Sequence, residues 1–441
     1  MQAFATPDEL YRAYLAHPRV RIDSRAVESG DLFVALAGER TNGNAYAAAA
    51  LERGAGHVIV DDPAVVAAGD PRYLLVADAL AALQQLAARH RDGFRMPVLA
   101  ITGSNGKTTT KELVAAVMAR QYRVHATPGN YNNHLGLPLT ILGMPAGTEF
   151  LILEMGANHR GEIAELCRIG RPTHGIVTNV GDAHLEGFGG REGVRRGKGE
   201  LYDYLAAHRG IAFVNADEEW LGEMSAHVGR RILYEDSQTP SREVANMEIL
   251  PICTHPRVEV AFLGDDAAQE QCTLQIAGRH NLQNAKTAIA VGKYFKVPGR
   301  EIAAGLAAYR PDNHRSQALR HRDVDFLWDA YNANPSSVGA TLRAFSRHER
   351  PANRRVVILG EMLELGAAAP AAHRRVALRA GQVARTVLLV GPATEAAARE
   401  FGRSWFSTVT ELHAWFWEQD WAEQTVLVKG SRGNRLEGLL E

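Results

Sequence analysis

A lysine followed by threonines, set behind a glycine-rich turn, is the clearest piece of chemistry in this chain. The stretch runs Val98-Leu-Ala-Ile-Thr-Gly-Ser-Asn-Gly-Lys-Thr-Thr-Thr-Lys-Glu112. Gly103, Ser104, Asn105 and Gly106 form the turn between a short apolar run and a stretch of helical periodicity. Glycines let backbone N–H groups approach phosphate oxygens, and a helix N-terminus adds favourable partial charge. Lys107 is expected to reach the β/γ-phosphates of a nucleotide and the Thr108 hydroxyl to ligate Mg²⁺. The full phosphate-loop spacing would put a glycine at position 101, where this chain has Ile101, so the motif is a compact G-x-x-G-K-T form.

Other candidate groups follow buried-strand patterns. Glu154 ends the run Phe150-Leu-Ile-Leu-Glu154, and Asp182 and His184 follow Gly175-Ile-Val-Thr-Asn-Val-Gly181. Glu154 suits a hard cation, which takes oxygen donors, and His184 suits a metal or phosphate role. Lys198, in Gly197-Lys-Gly-Glu-Leu201, reads on its own as a solvated lysine at a helix start. Asn281 reads either as a helix N-cap or as a reader of an adenine edge. Ser24 and Arg25 read either as turn chemistry or as an anion site with Arg25 on a diphosphate. His314-Arg315 lies in a loop that enters the last part of the chain.

The elements that must position these groups alternate between strand and helix, the pattern of parallel sheets covered on both faces. At 441 residues the chain is expected to divide into about three units. Residues 1–95 read as a small α/β domain and residues 96–310 as a central parallel-sheet P-loop ATPase domain. Residues 311–441 read as a Rossmann-like domain without a dinucleotide fingerprint, and Arg91–Pro97 reads as a linker. In such sheets ligands bind beyond the carboxyl ends of the strands, which puts Glu154, Asp182 and His184 on the rim of the phosphate loop. Val258–Phe262 and Cys272–Ile276 alternate as antiparallel edge strands would.

Net charge is −1, which gives no reason to expect a nucleic-acid or acidic-membrane partner. No apolar run approaches the length of a spanning helix, and the N-terminus lacks a signal-peptide pattern, so a cytoplasmic protein is expected. Cys167, Cys253 and Cys272 show no paired spacing and are expected to be buried free thiols.

Taken in order, the motifs resemble those of the Mur ligases, the ATP-dependent amide ligases that build the peptidoglycan stem peptide. Asp23-Ser-Arg25, Gly103-Ser-Asn-Gly-Lys-Thr-Thr109, Glu154-Met-Gly-Ala157, Gly181-Asp-Ala-His-Leu-Glu-Gly187 and Lys198-Gly-Glu-Leu201 carry the likeness. So do Gly278-Arg-His-Asn281, His314-Arg315, Asp329-Ala-Tyr-Asn-Ala-Asn-Pro335 and Lys429-Gly-Ser-Arg-Gly433. The block Tyr331-Asn-Ala-Asn-Pro335 looks most like the MurF type, which adds D-alanyl-D-alanine to UDP-N-acetylmuramoyl-tripeptide.

The resemblance implies a role for each matching residue. Lys107, Thr108 and Thr109 would hold ATP phosphates and one Mg²⁺, and Glu154, His184 and a carbamylated Lys198 a second. Asn281 would contact adenine, Arg315 the γ-phosphate or nucleotide, and Asp329 the ribose. Ser24 and Arg25 would hold the UDP part of the substrate, and Asn332, Asn334 and the Lys429–Arg432 loop would face the remaining substrate. Lys107, His184, Lys198 and Arg315 are thus the expected catalytic set, in a monomer that closes near residue 310.

Overall fold

Apolar runs bounded by glycine or proline become the strands of three sheets. The computed structural model describes residues 3–38, 41–182, 184–236, 247–264, 268–311 and 314–441. The first sheet holds β1 (Val20–Arg21), β2 (Leu32–Val34), β3 (His57–Val60) and β4 (Tyr73–Leu75) in that order, all parallel. After β2 the alanine-rich stretch forms a 3₁₀ turn, Gly43–Tyr46, running into the helix Ala47–Glu52. It stops at Gly54, whose φ of +99° suits a residue without a Cβ.

The second sheet is nine-stranded, in the order β13-β12-β11-β10-β9-β8-β5-β7-β6. Its strands are β5 (Val98–Thr102), β6 (Val124–Ala126), β7 (Phe150–Glu154), β8 (His174–Val177) and β9 (Ile211–Asn215), followed by β10 (Arg230–Asp236), β11 (Met247–Cys253), β12 (Glu259–Leu263) and β13 (Gln269–Thr273). Strands from β6 through β11 pair in parallel, and β12 and β13 add antiparallel pairs at one edge. The antiparallel edge agrees with the alternation in sequence, although the paired residues are shifted from the expected 272–276 to Gln269–Thr273. The third sheet runs β14-β15-β19-β16-β17-β18. Here β14 (Gln317–His321) is antiparallel to β15 (Val324–Asp329), while β16 (Arg355–Leu359), β17 (Thr386–Val390), β18 (Ser404–Phe406) and β19 (Thr425–Lys429) are parallel.

Strand β5 is buried along its whole length, and the helix Lys107–Met118 lays Leu113, Val114, Val117 and Met118 against the sheet. Full burial of each such side chain contributes roughly 1.5–3 kcal/mol, which fixes the direction in which the intervening turn points. The 91–97 stretch is not a free linker. Arg91 is buried, with Nη1 donating to Phe94 O at 2.7 Å and Nη2 to Arg171 O at 3.3 Å, so it ties the first unit to the second. One hydrophobic cluster, including Leu10, Leu83, Leu137 and Leu166, spans both. The cysteines are free, and Cys167 and Cys272 are buried. Cys253 corrects the expectation: it is half-exposed, at the end of β11 where the register against β12 shifts.

His174 opens β8 between Phe213, Tyr294 and Phe295, and burial lowers its pKa to about 4. A histidine whose folded pKa lies below its unfolded value binds fewer protons when folded, so stability falls as pH drops from about 6.5 toward 4. Urea unfolding at pH 7 and pH 5 should show a loss on the order of 1–2 kcal/mol from this residue. The His174→Leu variant should lose that part of the pH dependence, and an unchanged dependence would contradict the assignment.

Candidate active site

The phosphate loop leaves β5 where the sheet order reverses, with β8 on one side and β7 on the other. A crevice opens at such a switch point because the connections on either side leave in opposite directions. Gly103 has a φ of +137°, and a Cβ there would lie 2.0 Å from Thr178 Oγ1. Gly106 has a φ of +79°, and a Cβ would lie 2.6 Å from Asn284 Oδ1. Both glycines are therefore required by backbone conformation and by close approach. The turn is pinned from β8: Ser104 N donates to Asn179 O at 3.0 Å and Thr178 Oγ1 donates to Asn105 O at 2.6 Å. Lys107 curls back over it, Nζ donating to Gly103 O at 2.7 Å and to Ser104 O at 3.3 Å. Desolvation lowers its pKa, and the Glu154 carboxylate pulls the other way.

Glu154 ends β7 beside this loop and is 1% exposed. Oε1 accepts from Asn132 Nδ2 at 2.8 Å, while Oε2 is buried with no hydrogen-bond partner, 3.7 Å from Lys111 Nζ. Lys111 is itself held by the carbonyls of Thr127 at 2.8 Å and Gly129 at 3.2 Å. A buried carboxylate oxygen with no donor is the chemistry of a cation ligand. His184 pairs through Nδ1 with Glu364 Oε2 of the third sheet's domain at 2.5 Å. That hydrogen bond lowers the Glu364 pKa. Asp182 is held by Arg191 at 3.3 Å.

Lys198 is not a solvated helix-start residue. It sits within the helix Arg191–Ala207, 1% exposed, with Nζ donating to Ala157 O at 3.0 Å and lying over the Phe188 ring at 4.9 Å. Burial holds its pKa well below the usual lysine range, and Lys107 adds to the effect. Lys198 lies behind the cleft rather than on its lining. Among the described residues, no three His, Cys, Asp or Glu side chains converge on one point.

The third domain supplies the opposite wall. Arg315 stacks on Tyr331, its guanidinium carbon 3.9 Å from the ring centroid. Asp329 ends β15 and Lys429 ends β19, so the parallel register sets them side by side. Asp329 Oδ2 accepts from Lys429 Nζ at 2.9 Å and from Thr341 Oγ1 at 2.8 Å, and the same ammonium donates to Asn332 O at 2.6 Å. Asn334 caps the helix Pro335–Phe345, Oδ1 accepting from Ser337 N at 2.8 Å, and its Nδ2 donates across the cleft to Asn105 Oδ1 at 2.8 Å. Asn281 is not an N-cap: Gly278 holds that place with no side-chain bond, and Asn281 Nδ2 donates to Ala277 O at 2.8 Å.

One cavity of about 670 Å³ is lined by Ser104, Asn105, Gly106, Lys107, Thr108 and Thr109 on one side. Glu154, His184, Asn281, Arg315, Asp329, Asn332 and Asn334 complete the expected set along it. Gly103 shapes the loop from behind. Ser24 and Arg25 are elsewhere, in a 3₁₀ turn of the first domain. Asp23 caps that turn, and Arg25 folds back on Asp23 at 2.8 Å with its side chain 86% exposed. The turn-chemistry reading of this segment therefore describes its geometry. Sequence reasoning did not single out Lys111, Asn132, Glu218 or Glu364. For Asn132 the asparagine-rich loop Pro128–Asn133 was the available signal.

The cleft can take a polyphosphate between Lys107 and Arg315, a cation at Glu154, and a second reactant between the domains. The wall depends on the Lys429–Asp329 pair, at 4% and 8% exposure. Removing one partner strands the other charge. Lys429→Met should lower unfolding stability by about 3 kcal/mol, and adding Asp329→Asn to it should recover part of the loss. Additive losses in that double-mutant cycle would contradict the pairing.

Three family models match the chain in order. They are the Mur ligase family catalytic domain over residues 19–91, the Mur ligase middle domain over 101–292, and the Mur ligase glutamate ligase domain over 314–432. The UDP-N-acetylmuramoyl-tripeptide–D-alanyl-D-alanine ligase of Escherichia coli strain K12 is 34% identical over 438 residues, covering 97% of this chain and 94% of its own. A crystal structure of MurF from Acinetobacter baumannii superposes with a TM-score of 0.86 at 28% identity, over 99% of this chain and 97% of that one. The MurF ligase of Thermotoga maritima in complex with ADP gives 0.82 at 27% identity, over 97% of each chain. With its three sheets, its phosphate loop and its whole length matched in this way, the chain belongs to the Mur ligase family.

Proposed function

We propose that the chain joins D-alanyl-D-alanine to UDP-N-acetylmuramoyl-tripeptide with cleavage of ATP to ADP and phosphate, in peptidoglycan precursor synthesis. The observation that carries the reading is the convergence of the phosphate loop, Glu154 and the Arg315–Tyr331 wall on one cleft shared by two domains. A carboxylate is a poor electrophile and must be activated before an amine can attack it. The terminal carboxylate of the tripeptide attacks the γ-phosphorus, the bond to the β-phosphate oxygen breaks, and ADP leaves an acyl phosphate. The free amine of the dipeptide then attacks the acyl carbon; the nitrogen of the tetrahedral species gives up a proton, and collapse expels phosphate and leaves the amide.

In this reading Lys107 and Arg315 neutralise charge on the transferring phosphoryl oxygens. Asn281 receives the adenine, and Asp329 the ribose. Ser24 and Arg25 hold the uridine diphosphate end in the first domain. Asn332 and Asn334 face the peptide end. Thr108, beside the phosphates, would hold one Mg²⁺. Glu154 and His184, with a carbamate on Lys198, would hold a second, which the buried Oε2 of Glu154, accepting no hydrogen bond, fits; burial favours the neutral lysine amine, the form that adds carbon dioxide. Bound there, Mg²⁺ supplies positive charge against the phosphates. Contacts from Asn105 to Asn334 and Ser336 close the third domain over the loop, which keeps water from the acyl phosphate. In this reading the protein acts as a monomer in the cytoplasm, where ATP is supplied. Among the described residues no helix is long and apolar enough to cross a membrane.

The test is phosphate release from ATP by the purified protein. Release should require both the UDP-linked tripeptide and the dipeptide, and Lys107→Ala should lower it at least about 100-fold. Release with UDP-N-acetylmuramoyl-dipeptide and a diamino acid instead would overturn the substrate assignment.

A further inference from the structure

Two lysines of one helix act on a single carboxylate. Lys107 and Lys111 stand one turn apart on the helix Lys107–Met118, so their side chains share a face. The Glu154 carboxylate attracts Lys107, and its Oε2 lies 3.7 Å from Lys111 Nζ. Lys111 and Glu154 are both buried, which leaves their attraction little screened by water. Arg315 of the third domain adds a further positive charge that Lys107 feels. The other carboxylates near this end of the cleft are spent elsewhere. Asp182 is held by Arg191, Asp329 by Lys429 and Glu364 by His184. Glu162 accepts from Asn158 N at 2.8 Å and pairs with His159 Nδ1 at 2.9 Å. Glu218 follows β9, two strands from β5 in the sheet. Around Glu154, positive charge is therefore in excess, and Lys107, Lys111 and Arg315 would still outnumber Glu154 and a carbamate on Lys198.

The way Lys111 is held sets it apart from an ordinary salt-bridge partner. Its Nζ donates to Thr127 O at 2.8 Å and to Gly129 O at 3.2 Å, which keeps it beyond hydrogen-bond reach of Glu154 Oε2. Oε2 is buried and accepts no hydrogen bond. Lys111 thus supplies charge to the carboxylate while leaving the lone pairs of that oxygen free. A divalent cation on Oε2 would face an ammonium group that two carbonyls hold in place. Like charges a few ångströms apart in a poorly hydrated crevice repel strongly. The affinity of an oxygen site for a hard cation follows the charge count of its surroundings, and here that count is positive before a nucleotide arrives. A bound triphosphate brings several negative charges and reverses the sign.

We propose that Lys111 is a charge gate on the cation site: it offsets Glu154 until a triphosphate is bound, so that a divalent cation enters Glu154 with or after the nucleotide and not before it. Lys111 is a positioning residue in this account and touches neither substrate nor nucleotide. The inference rests on the reading of Glu154 as a cation ligand and assigns the order in which that ligand is used. It also gives Lys111 a role beyond tying down the Pro128–Asn133 loop, which its bonds to Thr127 and Gly129 do at the same time.

The test is Mn²⁺ binding, read from the loss of the free-ion electron paramagnetic resonance signal and from retention on ultrafiltration. The unaltered protein should retain Mn²⁺ only when a non-hydrolysable ATP analogue is present. Without nucleotide, Lys111→Met should bind Mn²⁺ at least about tenfold more tightly than the unaltered protein, and Lys111→Arg, which keeps the charge, no more tightly than it. A gain in affinity reports the removed charge, because a loop loosened by the loss of Lys111 would weaken the site. Retention of Mn²⁺ by the unaltered protein without nucleotide overturns the proposal whatever the variants do. So does a Lys111→Met protein that binds no more tightly, or a gain that Lys111→Arg shares. If the gain survives the addition of Glu154→Gln, or if no Mn²⁺ stays with protein and analogue together, the placing of a cation at Glu154 fails, and this inference with it.

Discussion

An ammonium group held by backbone carbonyls in a partly desolvated crevice is the constraint on which the rest of the structure depends. Lys107 donates to the carbonyls of Gly103 and Ser104 and has no carboxylate within hydrogen-bond distance among the described residues. Keeping a cation there requires the backbone to wrap it, which requires glycine at 103 and 106. The wrap in turn requires a rigid strand before it and a docked helix after it. β5 and the helix Lys107–Met118 supply these by burying apolar side chains on both faces of the sheet. The cation is then a fixed charge in a partly desolvated site, where an incoming phosphate gains more than it would in water.

The second requirement is that groups from another sheet meet this loop. Parallel register does part of the work, since β15 and β19 end together and bring Asp329 to Lys429. Helix capping does another part. Asn334 uses its carbonyl oxygen on the helix Pro335–Phe345 and its amide on Asn105, so the third domain's capping residue also touches the phosphate loop. His184 and Glu364 make a second crossing between the domains. The cleft is thus assembled from strand ends and helix starts, the places where a backbone leaves polar groups to be used.

What sequence shows of this site follows from how local each feature is. The phosphate loop is legible because strand, turn and helix are contiguous and each has its own pattern. Glu154 is legible because a carboxylate ending an apolar run must lie on the sheet's rim. Lys198 is not, because its helix begins Arg191-Glu-Gly-Val-Arg-Arg-Gly-Lys-Gly199 and reads as a polar, glycine-broken stretch. Gly197 is there for packing: a Cβ would lie 2.3 Å from the Phe188 ring. β10 is hidden for a similar reason, since Arg230-Arg-Ile-Leu-Tyr-Glu-Asp236 carries charges at both ends and becomes a strand by pairing with β9. Glu364 is invisible to periodicity altogether, as its place depends on a left-handed backbone and a partner in another domain.

Lys107 rests on its own loop, ready to be surrendered to a phosphate. The decisive measurement is a crystal structure with Mg²⁺ and a non-hydrolysable ATP analogue. Lys107 Nζ should be released from the Gly103 and Ser104 carbonyls and bonded to β- and γ-phosphate oxygens, with Arg315 facing the same γ-phosphate. A complex in which the analogue lies in the cleft while Lys107 stays on those carbonyls would contradict it.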